Sequence, residues 1–486
     1  MKKILFLISL YVPLFSQAQE FDLNKYKYRF QRYQSAQFNF NFTGNNDYQM
    51  NRQMYIDKIN NSPTTHYKTD KNTLNLSIGL PFNFYRIINT EDLQHNQSLN
   101  FSSGFSSTNE IRNNFKGGNL NLQYNVNNRY YNSRKFTELN YGINTNTYYY
   151  NSMVDQQPFY YRNSRNNYNS GSFNLNIGVG KGRLEYVSDA VTTIFLLQDL
   201  KRKAGIGNYT TEQIENIAKG VTKINNTRFM DFRYRLIDQL TLLDSTLTNN
   251  GIAPTSAIKY FTTINDNWLY ATSFQRMSGS RWSVLGDFTG NSVFSIYRSK
   301  ASDTSSINTS RYQSNYLYTG LSFNYAWSKQ LGLKVQRSFH AKASSGYNFT
   351  TQQYSYSSDN QSSTDNKNKP DRLNSAITLD YGYLYQPNTR TYIQVELNLT
   401  TTYNYSLYGS RVSNLDHSKY DQCQTQLTPR LSVFKFFNPH FNYNLTASMP
   451  AVSTVSKNSG DKRLTDINSS YQFPLTVNMG FTYTFF

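Results

Sequence analysis

The chain has 486 residues and a formal charge of +19, and only 38% of it is hydrophobic, yet 42 Tyr and 33 Phe help bring the aromatic share to 16%. That length allows two or three soluble domains, but so polar a chain fills no large core, and a disordered chain is poor in aromatics. A single cysteine, Cys423, excludes an internal disulfide framework and a cysteine-based zinc site.

In chain order, residues 1–18 read as a secretory signal: Lys2 and Lys3, an apolar run over 4–15, then Ser16-Gln17-Ala18 as a small-x-small cleavage site. Its removal leaves a charge of about +17. An exported chain meets little nucleic acid, so no nucleic-acid partner is expected; the anionic neighbours of a basic exported surface are lipopolysaccharide phosphates. Residues 19–34, where Tyr26, Tyr28 and Phe30 alternate with Lys25, Lys27 and Arg29, read as an extended N-terminal periplasmic segment or a plug.

From 35 to 185 the apolar period is two. Phe38, Phe40 and Phe42 alternate with Asn39, Asn41 and Thr43, and Leu74, Leu76, Ile78, Leu80, Phe82 and Phe84 alternate with polar or small residues. Further strands centre near Phe101, Leu122, Ile143 and Ile177, giving strands 1–6. Over 273–486 the pattern resumes near Val284, Leu321, Val335, Leu379, Leu397, Leu431 and Leu445 and ends in Tyr471, Phe473, Leu475, Val477, Met479, Phe481, Tyr483 and Phe485, giving strands 7–14. Alternation is poorest near Val284. Alternating apolar and polar faces, an even strand count and a terminal aromatic strand are those of an all-β membrane barrel with about 14 antiparallel transmembrane strands in the outer membrane of a Gram-negative cell. Long polar connections are expected outside, at roughly 45–72, 108–118, 151–168, 299–311, 352–371, 409–420 and 455–468. Tight turns are expected on the periplasmic side, near 132–135, 328–330, 387–389 and 438–440. Basic residues in the outer connections, Arg52, Arg162, Lys300 and Arg463 among them, suit contact with lipopolysaccharide, beside outer-membrane lipid as the solvent of the barrel.

One connection, 186–272, has a helical period and forms a periplasmic insertion. Ser188 and Asp189 open a first helix that closes with Lys201-Arg202-Lys203 before Gly205. Thr210 and Gln213 form a capping-box pair for a second. A third spans about 227–247, with Phe229, Phe232, Leu236, Leu240 and Leu243 on one stripe, and Pro254 starts a fourth. An insertion of this length suggests a docking role toward a periplasmic protein. Gly180-Lys181-Gly182-Arg183-Leu184-Glu185, Val187-Ser188-Asp189-Ala190 and Asn226-Thr227-Arg228-Phe229-Met230-Asp231-Phe232-Arg233 resemble motifs of a largely uncharacterised family of Bacteroidota outer-membrane barrel proteins. The resemblance covers mainly the insertion and the strand entering it. It implies an outer-membrane barrel with a helical insert and supplies no activity.

Gly180-Lys181-Gly182-Arg183 lacks the Lys-Ser/Thr ending of a phosphate loop and reads as a structural turn at a rim. Arg183, Asp189, Arg228, Asp231 and Arg233 read as anchors holding the insertion to the barrel. The inward face is rich in Asn, Gln, Ser, Thr and Gly, with Glu138, Lys334, His340, Lys342, Arg372, Asp380, Glu396 and Arg430 as its charged or titratable candidates. Ser338 and His340 at i,i+2 stand about 7 Å apart, too far for a direct proton relay. No nucleophile, metal or cofactor motif is seen, so no enzyme is expected. Porin-like passage of small polar solutes is the first functional expectation, and a scaffold whose insert docks a partner is the second.

Overall fold

The computed structural model describes residues 21–486 except 39, 56–64, 110–112, 157–159, 227–231, 253, 255, 271–274, 302–306, 359–360, 369–370, 407–418, 439–440, 461–463 and 484–486. The expected signal therefore lies outside the described residues.

Strands β1 (Gln31–Phe38), β2 (Asn41–Tyr55), β3 (Thr65–Asn89), β4 (Leu93–Asn109), β5 (Asn113–Asn132), β6 (Lys135–Gln156) and β7 (Tyr160–Tyr186) come first. Helices α1 (Ser188–Ala204), α2 (Thr211–Asn226), α3 (Phe232–Asn249) and α4 (Ala257–Trp268) follow. The sheet resumes with β8 (Met277–Ala301), β9 (Ile307–Gln330), β10 (Val335–Ser358), β11 (Gln361–Asn368), β12 (Arg372–Asn388), β13 (Thr391–Ser406), β14 (Lys419–Asn438), β15 (Phe441–Ser448), β16 (Ala451–Gly460), β17 (Leu464–Gln472) and β18 (Thr476–Tyr483). Every described ladder is antiparallel. These segments form fourteen longer runs, because β1 and β2 share β3, β11 and β12 share β10, β15 and β16 share β14, and β17 and β18 share the run β15–β16. Each run pairs with the next along the chain, and β7 pairs with β8 from Arg162–Ala301 to Tyr186–Met277 across the helical insertion. Among the described residues no ladder joins β1–β2, the first run, to β17–β18, the last.

The polar connections expected as outer loops are largely strand. The β2–β3 ladder runs out to Tyr55–Thr65, and β6–β7 reaches Gln156–Tyr160. In β7 the apolar alternation Phe173, Leu175, Ile177, Val179 occupies only the part nearer the helices; residues 160–171 before it carry Asn, Ser, Arg and Tyr. Backbone pairing continues there without an apolar face, supported by Tyr and Asn side chains opposite one another such as Tyr148–Tyr168. With no apolar face, the period-two hydrophobic signal vanishes although the strand does not.

The short turns lie at the other end; the one expected at 328–330 falls at 331–334, because Ser328–Gln330 still pair with β10, and 439–440 lie outside the described residues. Ser133, at φ 58°, makes the two-residue turn between β5 and β6. Residues 331–334 connect β9 and β10, closed by Leu331 N–H donating to Val335 O at 2.9 Å. The motif over 180–183 is the end of strand β7 rather than a turn. Gly182 (φ 95°) stands beside Gly279 (φ 118°) on β8, and a Cβ on either would lie 2.2–2.3 Å from the other strand's backbone carbonyl oxygen. These two glycines let the backbones close in where the chain leaves and re-enters the sheet.

The helical insertion has its own core. Val191, Ile194 and Leu197 of α1 pack with Ile217, Ala218 and Val221 of α2, Leu243 and Leu247 of α3, and Ile264 and Trp268 of α4. Phe21, Leu23 and Tyr26 belong to the same cluster, so the N-terminal segment is part of the helical unit. Fully burying a side chain of this size contributes about 1.5–3 kcal/mol, which is how a segment without secondary structure is held. Gly205 closes α1 in the left-handed region. Thr210 and Gln213 form the reciprocal pair expected, at 2.7 and 3.2 Å. Ser188 departs from its expected capping role: Val187 is the N-cap residue, and Ser188 Oγ instead accepts the Arg276 backbone N–H at 2.7 Å, tying the two ends of the insertion together.

Candidate functional site

Register divides the sheet into two faces. On one, large apolar side chains are exposed: Leu321 at 65%, Val179 at 60% and Ile377 at 53% are examples. Val179, Val284, Phe323, Ala343, Ile377 and Thr401 stand side by side across six runs. The other face is polar. One row of it holds Arg281, Ala326, His340, Asp380, Asn398 and Thr428; a neighbouring row holds Ser283, Asn324, Lys342, Thr378 and Thr400.

Several charged groups of this face are brought into pairs. Arg129 binds Glu138 at 2.6 Å, and Asn140 donates to the same carboxylate oxygen at 3.1 Å. His340 Nδ1 lies 3.1 Å from Asp380, which also accepts from the Asn398 amide. Asn176 donates to Asp287 at 2.6 Å. Glu396 and Arg430 are register partners, and Glu396 accepts from Gln394 at 2.6 Å. Arg372 is exposed near the outer end of β12. Lys334 sits in the 331–334 turn, exposed, and not on a strand of this face. A cavity of about 200 Å³ opens between Arg129, Glu138, Arg281, Ala326, His340 and Lys342. Among the described residues no group of three or more His, Cys, Asp or Glu side chains converges as a metal site would require.

The helical unit covers the short-turn end of this face. Its contacts reach turns in widely separated runs. Arg29 binds Glu185 at 2.7 Å and also pairs with Glu91 in the β3–β4 turn; those hydrogen bonds hold its pKa above the ordinary guanidinium value. Asn24 donates to Gln330 O at 2.9 Å and accepts from Ser278 Oγ and Gln330 N–H at 2.8 and 2.9 Å. Arg276, 1% exposed, donates to Leu333 O and to Gln330 Oε1 in the β9–β10 turn, and burial pushes its pKa down to about 9, so it stays charged at neutral pH. Asp266 pairs with Arg390 in the β12–β13 turn, and Arg390 lies 5.0 Å from the Tyr270 ring. Tyr270 in turn meets Phe436 of β14 at 4.9 Å.

Of the expected anchors, Arg183 does hold a rim. It donates to Glu91 O and Asn89 Oδ1, both at 2.7 Å, and lies 4.3 Å from the Tyr131 ring. It fastens β7 to the β3–β4 turn rather than to the helices. Asp189 works within the insertion, accepting from Thr222 Oγ1 at 2.5 Å and Asn225 Nδ2 at 2.9 Å and so joining α1 to α2. Arg228 and Asp231 lie outside the described residues, as does the Arg233 side chain. The groups that bind the unit to the sheet, Asn24, Arg29, Asp266 and Arg276, carry no sequence signature, since their partners lie 54–306 positions away. No known protein-family profile matches the chain, and no curated protein matches it.

Proposed function

We propose that the sheet closes on itself, β1–β2 against β17–β18, as a barrel in the outer membrane of a Gram-negative cell, and that small polar solutes pass through its bore. The observation that carries the reading is the division of the sheet into one exposed apolar face and one polar face. Monomeric proteins in water rarely expose so continuous an apolar surface, whereas a membrane barrel requires it outside and tolerates polar groups inside. No described helix is long and apolar enough to cross a membrane, so on this reading strands do so. The first and last runs are antiparallel in chain direction, and closure would satisfy their backbone groups. The resemblance of the strand-to-insertion motifs to the Bacteroidota barrel family agrees with this placement.

On this reading the helical unit is a cap over the periplasmic mouth. Single-channel conductance in planar bilayers tests it, comparing the whole chain with one lacking residues 190–265. Stable conductance that increases on deletion supports a capped pore. Silence in both, with the protein shown to be folded, overturns passage. It would then favour the second reading, a scaffold, for which the relevant observation is Ile258 (79% exposed), Ile237 (66%) and Phe261 (52%) on the outer surface of α3 and α4. Crosslinking in intact cells to a periplasmic protein through those positions would support it.

A further inference from the structure

We propose that the cavity over Ala326 is a binding subsite for one oxyanion, a carboxylate or phosphate group carried by a solute. The proposal rests on the reading above in taking this face to line a bore, and its chemistry is separable from conduction.

Two cations flank the cavity from opposite sides of one strand. Arg281 on β8 is the register partner of Ala326 on β9, and Lys342 on β10 is the partner of Asn324, also on β9. Strands one removed stand about 10 Å apart, so the two side chains border one cavity from either side of β9. Ser322 and Ala326 on β9 and Ser283 on β8 line the cavity, beside Asn324 opposite Lys342. A bulkier residue at 326 would fill the volume.

The carboxylates nearby hold hydrogen bonds of their own, although Glu138 Oε2 has no partner among the described residues and its charge also acts on Arg281. Glu138 is engaged by Arg129 and Asn140, and Asp287 by the Asn176 amide. Asp380 faces His340 and the Asn398 amide. Among the described residues neither Arg281 nor Lys342 has a carboxylate within ion-pair distance. The cavity lining therefore holds three permanent cations, Arg129, Arg281 and Lys342, against two carboxylates, Glu138 and Asp287, and the two cations without an ion pair are Arg281 opposite Ala326 and Lys342 opposite Asn324. A guanidinium offers two parallel donors to an oxyanion and an ammonium adds a point charge, the combination suited to a planar carboxylate or a phosphate. His340, the register partner of Ala326 on β10, also lines the cavity.

Equilibrium dialysis of radiolabelled inorganic phosphate against the full-length protein folded in detergent tests the site, with acetate as competitor and choline as cationic control. Saturable phosphate binding displaced by acetate and not by choline is expected. Arg281→Gln and Lys342→Gln should each weaken it at least tenfold, Arg281→Lys should retain most of it, and Lys329→Gln, which removes an exposed charge elsewhere, should leave it unchanged. Circular dichroism verifies that each variant is folded; if Arg281→Gln does not fold, Lys342→Gln and Ala326→Leu, which fills the cavity, decide the matter. Phosphate binding that survives both of those changes, or no binding by the parent protein, overturns the proposal. Binding by a protein that conducts nothing keeps the site and retires passage; conduction without binding does the reverse.

Discussion

Arg276 is the residue on which the join between helices and sheet most depends, because it is fully buried and its guanidinium satisfies backbone and side-chain oxygens of a single turn. Arg276→Ala leaves those oxygens buried without donors, at a cost of on the order of 1–3 kcal/mol, and the expected result is faster trypsin cleavage within residues 186–272 while the sheet's circular dichroism is unchanged. Cleavage at the parent rate would show the turn to be held by other contacts. Tyr26 gives a pH dependence. Burial, and after it the charge of Asp189, holds its phenol well above the ordinary value of 10.0, and burial with a hydrogen bond to Asp244 does the same for Tyr260. A phenol that ionises less readily when folded contributes stability fully present below pH 10.0 and lost as the pH climbs toward the folded value. The helical unit should therefore loosen above about pH 10, and Tyr26→Phe should reduce that slope without abolishing it, as read by protease sensitivity between pH 8 and 11. At this scale the sequence reveals parity but not partnership. That His340 and Asp380 share a face follows from period two; that they are opposite each other depends on register. Arg281 escaped notice because it opens the one segment where alternation fails, and the structure shows why: Leu285 lies on the polar face, buried, with Gly286 in its place on the apolar face.

At the scale of elements, capping chemistry separates two helix starts that look alike in sequence. Thr210 has the reciprocal pair with Gln213, whose amide also donates to Asn250 O at 2.6 Å and so links the start of α2 to the end of α3. Thr210→Ala should lower the unit's stability by about 1 kcal/mol, measurable as a lower midpoint for helical melting, whereas Ser188→Ala should act through the lost bond to Arg276 and leave α1 helicity intact. A hydroxyl side chain before an apolar periodic run is the same signal in both cases; what distinguishes them is a backbone N–H arriving from 88 residues away. Helix positions were otherwise legible, since each apolar stripe faces one core. Strand centres were legible for the same reason, and strand ends were not: wherever neither face is apolar, nothing in the side-chain pattern marks where pairing stops.

For the whole molecule the most direct test uses the single cysteine. Cys423 is exposed on the apolar face, between Tyr403 on β13 and Val455 on β16. If that face lies in lipid, a membrane-impermeant maleimide added to intact cells leaves Cys423 unmodified, and urea-denatured protein reacts fully. Rapid labelling in cells would place this row in water. Two faces, fourteen runs and a helical interruption could be read from periodicity; the covering of one end by the helices could not, because it rests on contacts between distant positions. The N-terminal segment makes the point in another dimension, that of time. Phe21, Leu23 and Tyr26 emerge during synthesis well before the helices whose core they share, the first of which starts at Ser188. About 165 further residues must therefore be translocated before these three have a helix to fold against. Until then this short apolar stretch is a natural handle for whatever escorts the nascent protein. A chain truncated at residue 186 should keep that handle exposed, so that proteolysis removes residues 21–30 from it and spares them in the full-length protein.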